Sequence, residues 1–345
     1  MTKRWKALTL TVVAGLAAGL LSACSGGSSS GAGGTDTITI ASNAPTFTAA
    51  VYVAQDQGFF KAHGVNVDVM DNQGPNVPTL VVSGRADIGI GAPAAEPVLL
   101  TSKGQHVTVV YGEGGGGLSA SLLVRPGTTL ASLQSLQSCK IGTYPQGTSA
   151  YGWATIFTKQ LGLHCEFSIY QNAPLQVAAL TSKSVDAVMG SPSNFSAAVA
   201  AGQAQFLIDC SQPADRAKYV PNPPAWESAD FGIESNLAKK RPAVQKFFAA
   251  YQQGKDWMAQ HGPAATAEIV AKSPAAKGTT VQQLTETLTT NAPFNSIPVS
   301  TGVITPESWR TSLQFFSSFG LTGYNPDDPA YAYDKVVDMS FVQGK

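Results

Sequence analysis

The sequence predicts an α/β protein of two similar lobes, each built on a mostly parallel sheet flanked by helices, with a ligand cleft between the lobes. Short β-branched runs such as DTITIAS, VNVDVMD and HVTVVYG alternate with segments of helical spacing such as VYVAQDQGFFKAHG. The pattern also repeats, because Asp87 and Pro93 correspond to Asp186 and Pro192 at one constant offset. In both places an aspartate precedes an apolar strand, a small-residue corner and a helix, which indicates a duplicated unit.

The first element is a leader. A basic KRWK segment precedes the apolar run ALTLTVVAGLAAGLL, and LSAC ends the run at Cys24. This predicts a signal peptide over residues 1–23 and, because L-S-A-C matches the bacterial lipoprotein box, lipidation of Cys24. The Gly/Ser-rich residues 24–36 read as a flexible tether. We therefore expect an extracytoplasmic protein held at the bacterial membrane by lipid, the alternative being an ordinary signal peptide with a chance cysteine.

The lobes follow the tether. Residues 37–123 and 231–345 are expected to form a discontinuous first lobe whose C-terminal part is helical, and residues 124–230 the second lobe. The chain is expected to cross between the lobes near Ser121–Gly127 and again near Asp230–Ser235. These crossings would serve as hinges.

Composition excludes several classes of function. The 22 basic and 22 acidic residues balance, so nucleic-acid binding is not indicated. Four histidines stand without partners at zinc-ligand spacing, and no cofactor motif is present.

Beyond the leader, Cys139 and Cys165 each directly precede a predicted strand, which favours a disulfide between them and leaves Cys210 unpaired. Three buried free thiols are the alternative.

Four strand-to-helix corners are candidate ligand contacts, because helix N-termini beyond the carboxyl ends of parallel strands offer free N–H groups. In chain order the corners are residues 42–46, 91–93, 147–149 and 191–194. The third corner, within KIGTYPQGTSAYGWATIF, keeps the glycines and hydroxyls of a phosphate-binding loop but lacks its lysine, so a triphosphate is not expected. Each corner alone could be a simple helix cap. The candidate ligand-binding residues are Ser42, Asn43, Thr46, Gly91, Ala92, Glu113, Thr148, Ser149, Tyr151, Ser193 and Asn194.

Other motifs are weaker. GEGGGG matches G-x-G-x-x-G but lacks the following helix and acidic residue of a dinucleotide site. Its Glu113 either points to solvent or accepts from a cationic or amino-bearing ligand. Tyr151 and Trp226 could stack on a planar ligand, whereas Trp153 and Phe157, four apart on one helix face, are expected in the core. No catalytic constellation stands out, so an enzyme is not indicated.

Four stretches of the sequence carry a resemblance to a known family: APTFTAAVYVAQDQGFFKAHGVNVDV, GRADIGIGAP, SKGQHVTVV and GTSAYGWATIFTKQLGL. They resemble the substrate-binding lipoproteins of nitrate, sulfonate and taurine ABC importers and their pyrimidine-binding relatives. The resemblance covers about residues 36–340. It implies a type II periplasmic-binding-protein fold, with pocket residues at the four corners. The eukaryotic pyrimidine-synthesising relatives carry a cysteine-rich cluster that this sequence lacks, which argues against that activity.

The mechanism that the resemblance implies is closure of two lobes on a small molecule, followed by delivery to a permease and its ATPase by a protein that is expected to be monomeric. The ligand would be a sulfonate, nitrate or taurine-like compound. A pyrimidine or thiamine precursor or another planar heterocycle is the alternative ligand, and a ligand sensor that docks on a receptor is the alternative function.

Overall fold

The structure is a computed structural model that describes residues 36–42, 45–71, 77–115, 120–296 and 301–343. The expected leader, the tether before Asp36 and the lipidated Cys24 lie outside the described residues. Asn43 also lies outside them. In the part of the chain that is described, no helix is both long and apolar enough to cross a membrane.

Two five-stranded sheets organise the protein. The first has the order β2-β1-β3-β10-β4 and the second the order β7-β6-β8-β5-β9. The strands of the first sheet are β1 (Asp36–Ser42), β2 (Val65–Asp71), β3 (Ile88–Pro93), β4 (Val107–Glu113) and β10 (Ser228–Ile233). The strands of the second sheet are β5 (Ser121–Val124), β6 (Cys139–Thr143), β7 (Cys165–Ile169), β8 (Ala187–Gly190) and β9 (Gln205–Asp209).

Helices cover both sheets. Those that follow strands of the first sheet or belong to the C-terminal part are α1 (Pro45–Asp56), α2 (Phe59–Ala62), α3 (Val77–Val82), α4 (Glu96–Ser102), α10 (Glu234–Lys239), α11 (Arg241–Val270), α12 (Val281–Ser296), α13 (Pro306–Phe316), α14 (Tyr333–Val336) and α15 (Ser340–Gln343). Those of the second sheet are α5 (Leu130–Gln134), α6 (Ser149–Gln160), α7 (Ala173–Thr181), α8 (Ser196–Ala200) and α9 (Pro213–Tyr219). Helix α11 breaks at Gly262, because φ there is 80° and Pro263 follows.

The two sheets have one topology, which confirms the predicted fold of two similar lobes. In each sheet four strands run in one direction and the fourth strand in spatial order, β10 or β5, runs against its neighbours. That opposing strand is in each case the first strand after the chain crosses from the other lobe. The predicted lobe limits, after residue 123 and after residue 230, fall inside β5 and β10, so the crossings precede Ser121 and Ser228.

The duplication extends to individual hydrogen bonds. Asp87 donates its N–H to Thr39 O (2.7 Å) and accepts from Thr39 N at its carboxylate (2.8 Å). Asp186 does the same with Lys140, at 2.8 and 2.9 Å. The shared aspartate of the sequence repeat therefore joins the strand it precedes to the neighbouring parallel strand, β1 in the first sheet and β6 in the second.

The disulfide lies at the start of neighbouring strands. Cys139 and Cys165 are joined, and they are register partners in the parallel pair β6 and β7. Cys210 is a buried free thiol, and burial raises its pKa to about 12. Trp153 and Phe157 are buried in the second-lobe core, as predicted.

Candidate functional site

The carboxyl ends of the parallel strands carry the candidate residues in both lobes. Ser42 ends β1 and is 1% exposed. Gly91 and Ala92 lie near the end of β3, and Glu113 ends β4. Thr46 lies in the first turn of α1. In the second lobe the candidates follow β6 and β8, as the order of elements requires.

Gly91 is a position that requires glycine. Its φ is 64°, and a Cβ atom placed there would lie 2.3 Å from the ring of Phe47. The backbone therefore approaches the start of α1 closely. The N–H of Gly91 donates to Asp230 Oδ1 at 2.8 Å, so the carboxyl group of Asp230 in β10 holds the backbone of this corner in place.

Asp230 is a buried acid that the sequence reasoning missed. It is 0% exposed, and within the described structure its Oδ2 has no hydrogen-bond partner. Burial, and after it the negative charge of Glu113, raises the pKa of Asp230 well above its usual range. The available signal was a charged residue inside an otherwise apolar strand, SADFGI, which sequence reasoning treated only as a hinge.

Glu113 belongs to an internal ion pair, so the alternative that it points to solvent is wrong, and contact with a ligand stays a prediction. The side chain is 1% exposed, and its carboxylate accepts from Tyr251 Oη at 2.6 Å and from Lys255 Nζ at 2.8 Å. Lys255 also lies 5.0 Å from the centre of the Tyr111 ring. Both partners come from α11, about 140 residues away in sequence. The residues next to Glu113 in the chain therefore do not indicate that its charge is buried and paired.

The third corner caps its own helix. Thr148 Oγ1 accepts from Tyr151 N at 3.3 Å and donates to Pro145 O at 2.8 Å. Tyr151 packs edge-on against Phe167 and accepts from Gln146 at 3.4 Å. Thr148 therefore has a structural role in α6, which leaves Ser149 as the hydroxyl of this corner that reaches another element.

The fourth corner joins the end of β6. The Nδ2 of exposed Asn194 donates to Tyr144 Oη at 3.2 Å, and Ser193 beside it is half-buried. Burial raises the pKa of Tyr144, while the Asn194 hydrogen bond opposes the shift. The structure thus brings the regions after β6 and β8 together at one edge of the second sheet.

Glu227 is one of the residues at which the two lobes meet, beside the hydrogen bond from Gly147 N to Phe319 O at 3.1 Å. Its carbonyl oxygen accepts from Ala94 N of the first lobe at 3.1 Å and from Ser149 Oγ of the second lobe at 3.4 Å. Its carboxylate accepts from the indole N–H of Trp153 in α6 at 3.2 Å. Glu227 directly precedes β10, so one crossing segment holds a corner from each lobe. No pattern in the sequence predicts this role.

Trp226, beside it, is a core residue and not a ligand-stacking one. It is 0% exposed and lies parallel to Trp309, with ring centres 5.4 Å apart. Because the side chain is fully buried and one face already lies on Trp309, it presents no surface to a ligand in this structure. The prediction for Trp226 is therefore wrong.

A metal centre has no support in the described part of the chain, since no group of three or more His, Cys, Asp or Glu side chains there could hold an ion. The candidate corners offer N–H groups, hydroxyls and amides. Such groups suit a small polar molecule or an oxyanion held without a fixed cation.

Comparison with known proteins agrees with this architecture. A family model described as NMT1/THI5 like matches residues 45–265. No curated protein matches the sequence.

Solved structures share the fold at low identity. The aliphatic sulphonate binding protein SsuA from Escherichia coli superposes with a TM-score of 0.65 and 16% identity, covering 89% of this chain and 91% of SsuA. The nitrate-binding protein NrtA from Synechocystis PCC 6803 gives 0.65 and 13%, covering 90% and 88%. The desulfurization enzyme DszB gives 0.58 and 19%, covering 90% and 98%. The fold therefore occurs in binding proteins and in an enzyme.

Proposed function

Because the chain belongs to the NMT1/THI5-like family, we propose that it is the extracytoplasmic substrate-binding component of an ABC importer. It captures a small molecule between its lobes and delivers it to a permease. The two lobes of one topology support this function, as does the shared fold of the sulphonate- and nitrate-binding proteins. A ligand that contacts both lobes only when they are together shifts the population towards closure.

The observation that carries the proposal is the meeting of both lobes at Glu227. A corner of the first lobe and a corner of the second donate to the same carbonyl oxygen, at Ala94 and Ser149. The strand ends of the two sheets therefore face one another, as capture at an interface between lobes requires.

The ligand we propose is a sulfonate, nitrate or a taurine-like compound, held by N–H and hydroxyl donors. Lys255 of α11 is already ion-paired with Glu113, so the proposed ligand is held without it. A planar heterocycle such as a pyrimidine or thiamine precursor is the alternative, and the Tyr144 ring at the fourth corner is an aromatic group beside which it could stack.

A thermal-shift panel tests the proposal. It contains nitrate, taurine, an alkanesulfonate, a pyrimidine and a thiamine precursor. The true ligand at about a hundredfold excess over its Kd stabilises the folded state by about 2.7 kcal/mol and raises the melting temperature. If no compound shifts the melt, the binding function fails.

Ser149→Ala locates the ligand. It removes the hydroxyl that contacts Glu227 but leaves the Thr148 cap of α6 in place. We expect weaker binding of the active compound with little change in the melting temperature of the free protein. Ser182→Ala, at the far end of α7, is the matched control and should bind normally. Equal affinity in both variants would remove Ser149 from the site.

We further propose that lipid on Cys24 anchors the protein, which works as a monomer beside a permease and an ATPase. Labelled palmitate should be incorporated into the intact precursor and not into Cys24→Ala. A ligand sensor would instead co-purify with a receptor and not with permease subunits. The role that we propose is non-enzymatic, although the enzyme DszB has the same fold. Recovery of the bound compound unchanged after incubation would support binding, and its conversion would indicate an enzyme.

A further inference from the structure

A cavity of about 700 Å³ lies between the second lobe and α12. The second lobe supplies most of its wall, from the segments around α8, β9 and α9, and Thr289 of α12 supplies the rest. Helix α12 itself packs on the first lobe, since Leu284 and Leu288 lie in a cluster with Ala49 of α1. An occupant would therefore contact elements of both lobes.

The cavity is separate from the proposed ligand site. Of the four corners it shares only Pro192, and none of the eleven candidate ligand residues lines it. Glu227, which accepts a hydrogen bond from the candidate Ser149, does not line the cavity either. A molecule in this cavity would therefore occupy a second site.

Two opposite charges line the cavity without neutralising one another. Arg216 donates from Nη1 to Cys210 O at 3.1 Å, and Asp209 accepts at Oδ1 from Ser211 N at 3.0 Å and from Ser211 Oγ at 2.7 Å. Among the described residues neither Arg216 nor Asp209 has an ion-pair partner within 4.0 Å. Both side chains are partly buried, so their charges are screened less than at an open surface.

The remaining wall is largely apolar. Pro192, Val199 and Phe206 face the cavity from the second lobe. A guanidinium, a carboxylate and an apolar surface on one wall match a molecule that carries a carboxylate, an ammonium and methylene groups between them. A molecule with one charge would leave the opposite protein charge desolvated and unpaired, which costs free energy.

We propose that this cavity is a second binding site, which takes a small zwitterionic amino acid. The carboxylate of the ligand pairs with Arg216, its ammonium pairs with Asp209, and its methylene chain lies on Pro192 and Phe206. The site does not depend on the identity of the transported ligand, so it adds to the proposed function and does not restate it.

Calorimetric titration with matched probes tests the site on the wild-type protein. The zwitterions are glycine, 4-aminobutyrate and 6-aminohexanoate, which differ in charge separation, and the one-charge analogues are butyrate, hexanoate and hexylamine. We expect at least one zwitterion to bind, and each one-charge analogue of the same length to bind at least about tenfold more weakly. The proposal is overturned if no zwitterion binds or if a one-charge analogue binds as tightly.

Variants assign the binding to the cavity. Arg216→Gln and Asp209→Asn should each weaken the zwitterion at least about tenfold, and the amide in Asp209→Asn keeps an acceptor for Ser211. Lys218→Gln, on the exposed side of the same helix, should change nothing. Ser149→Ala should also leave this affinity unchanged. Loss in Ser149→Ala with normal binding in Arg216→Gln would place the zwitterion in the cleft and overturn the second site.

Discussion

Asp230 should make the protein less stable as the pH rises. Its carboxyl group is fully buried, and burial followed by the charge of Glu113 raises its pKa well above the usual range. The folded protein therefore keeps a proton on Asp230 at pH values where the unfolded chain, with an aspartate pKa of about 3.9, has released it. In that window unfolding releases a proton, so a higher pH favours the unfolded state.

The magnitude follows from linkage. Each pH unit between the unfolded and the folded pKa removes about 1.4 kcal/mol of stability. Asp230→Asn abolishes the titration and keeps an Oδ1 acceptor for Gly91 N. Its amide nitrogen occupies the place of Oδ2, which lacks a partner in the described structure, and so contributes an offset that does not depend on pH.

Urea unfolding of both proteins at half-unit steps from pH 4 to 8 provides the assay. The free energy of unfolding of the wild type minus that of Asp230→Asn should fall by about 1.4 kcal/mol per pH unit from about pH 4 upwards and level off above the folded pKa. Asp256→Asn, at an exposed aspartate of α11, is the control for charge removal. A difference between wild type and Asp230→Asn that stays flat across the range would refute the reasoning.

The other predictions concern the same corner. Lys255→Met leaves the carboxylate of Glu113 buried with Tyr251 as its hydrogen-bond donor and should cost about 3–5 kcal/mol in urea unfolding. Adding Glu113→Gln should recover most of that loss, and a double variant as unstable as the single one would contradict the ion pair. Gly91→Ala places a Cβ against Phe47 at a φ of 64° and should cost about 2–5 kcal/mol. A melting temperature equal to that of the wild type would show that the corner relaxes freely.

Local pattern was sufficient for the repeated unit. The aspartate before an apolar strand predicted a shared role for Asp87 and Asp186, and both make the same pair of backbone hydrogen bonds. The alternation of strands and helices likewise predicted sheets in which most strands run parallel. These features depend on residues that are near each other in the chain or that recur at one offset.

Long-range partners were not predictable from the sequence. The crossings are predicted near Ser121–Gly127 and Asp230–Ser235, but that prediction does not say that β5 and β10 insert between strands that run against them. A short apolar run carries no information about which strands flank it. The partners of Glu113 lie on α11, and a buried acid cannot be distinguished from an exposed one without them.

The exchanged strands restrict how the lobes can move. Strands β5 and β10 each pair on both sides within the sheet they enter, so neither can shift without breaking two ladders of hydrogen bonds. In the described chain, β10 begins directly after Glu227. Opening of the proposed cleft would separate Ser149 from the carbonyl oxygen of Glu227, and it would also break the hydrogen bond from Gly147 N to Phe319 O. If the proposed function is right, closure of the lobes and assembly of the proposed ligand site are one event.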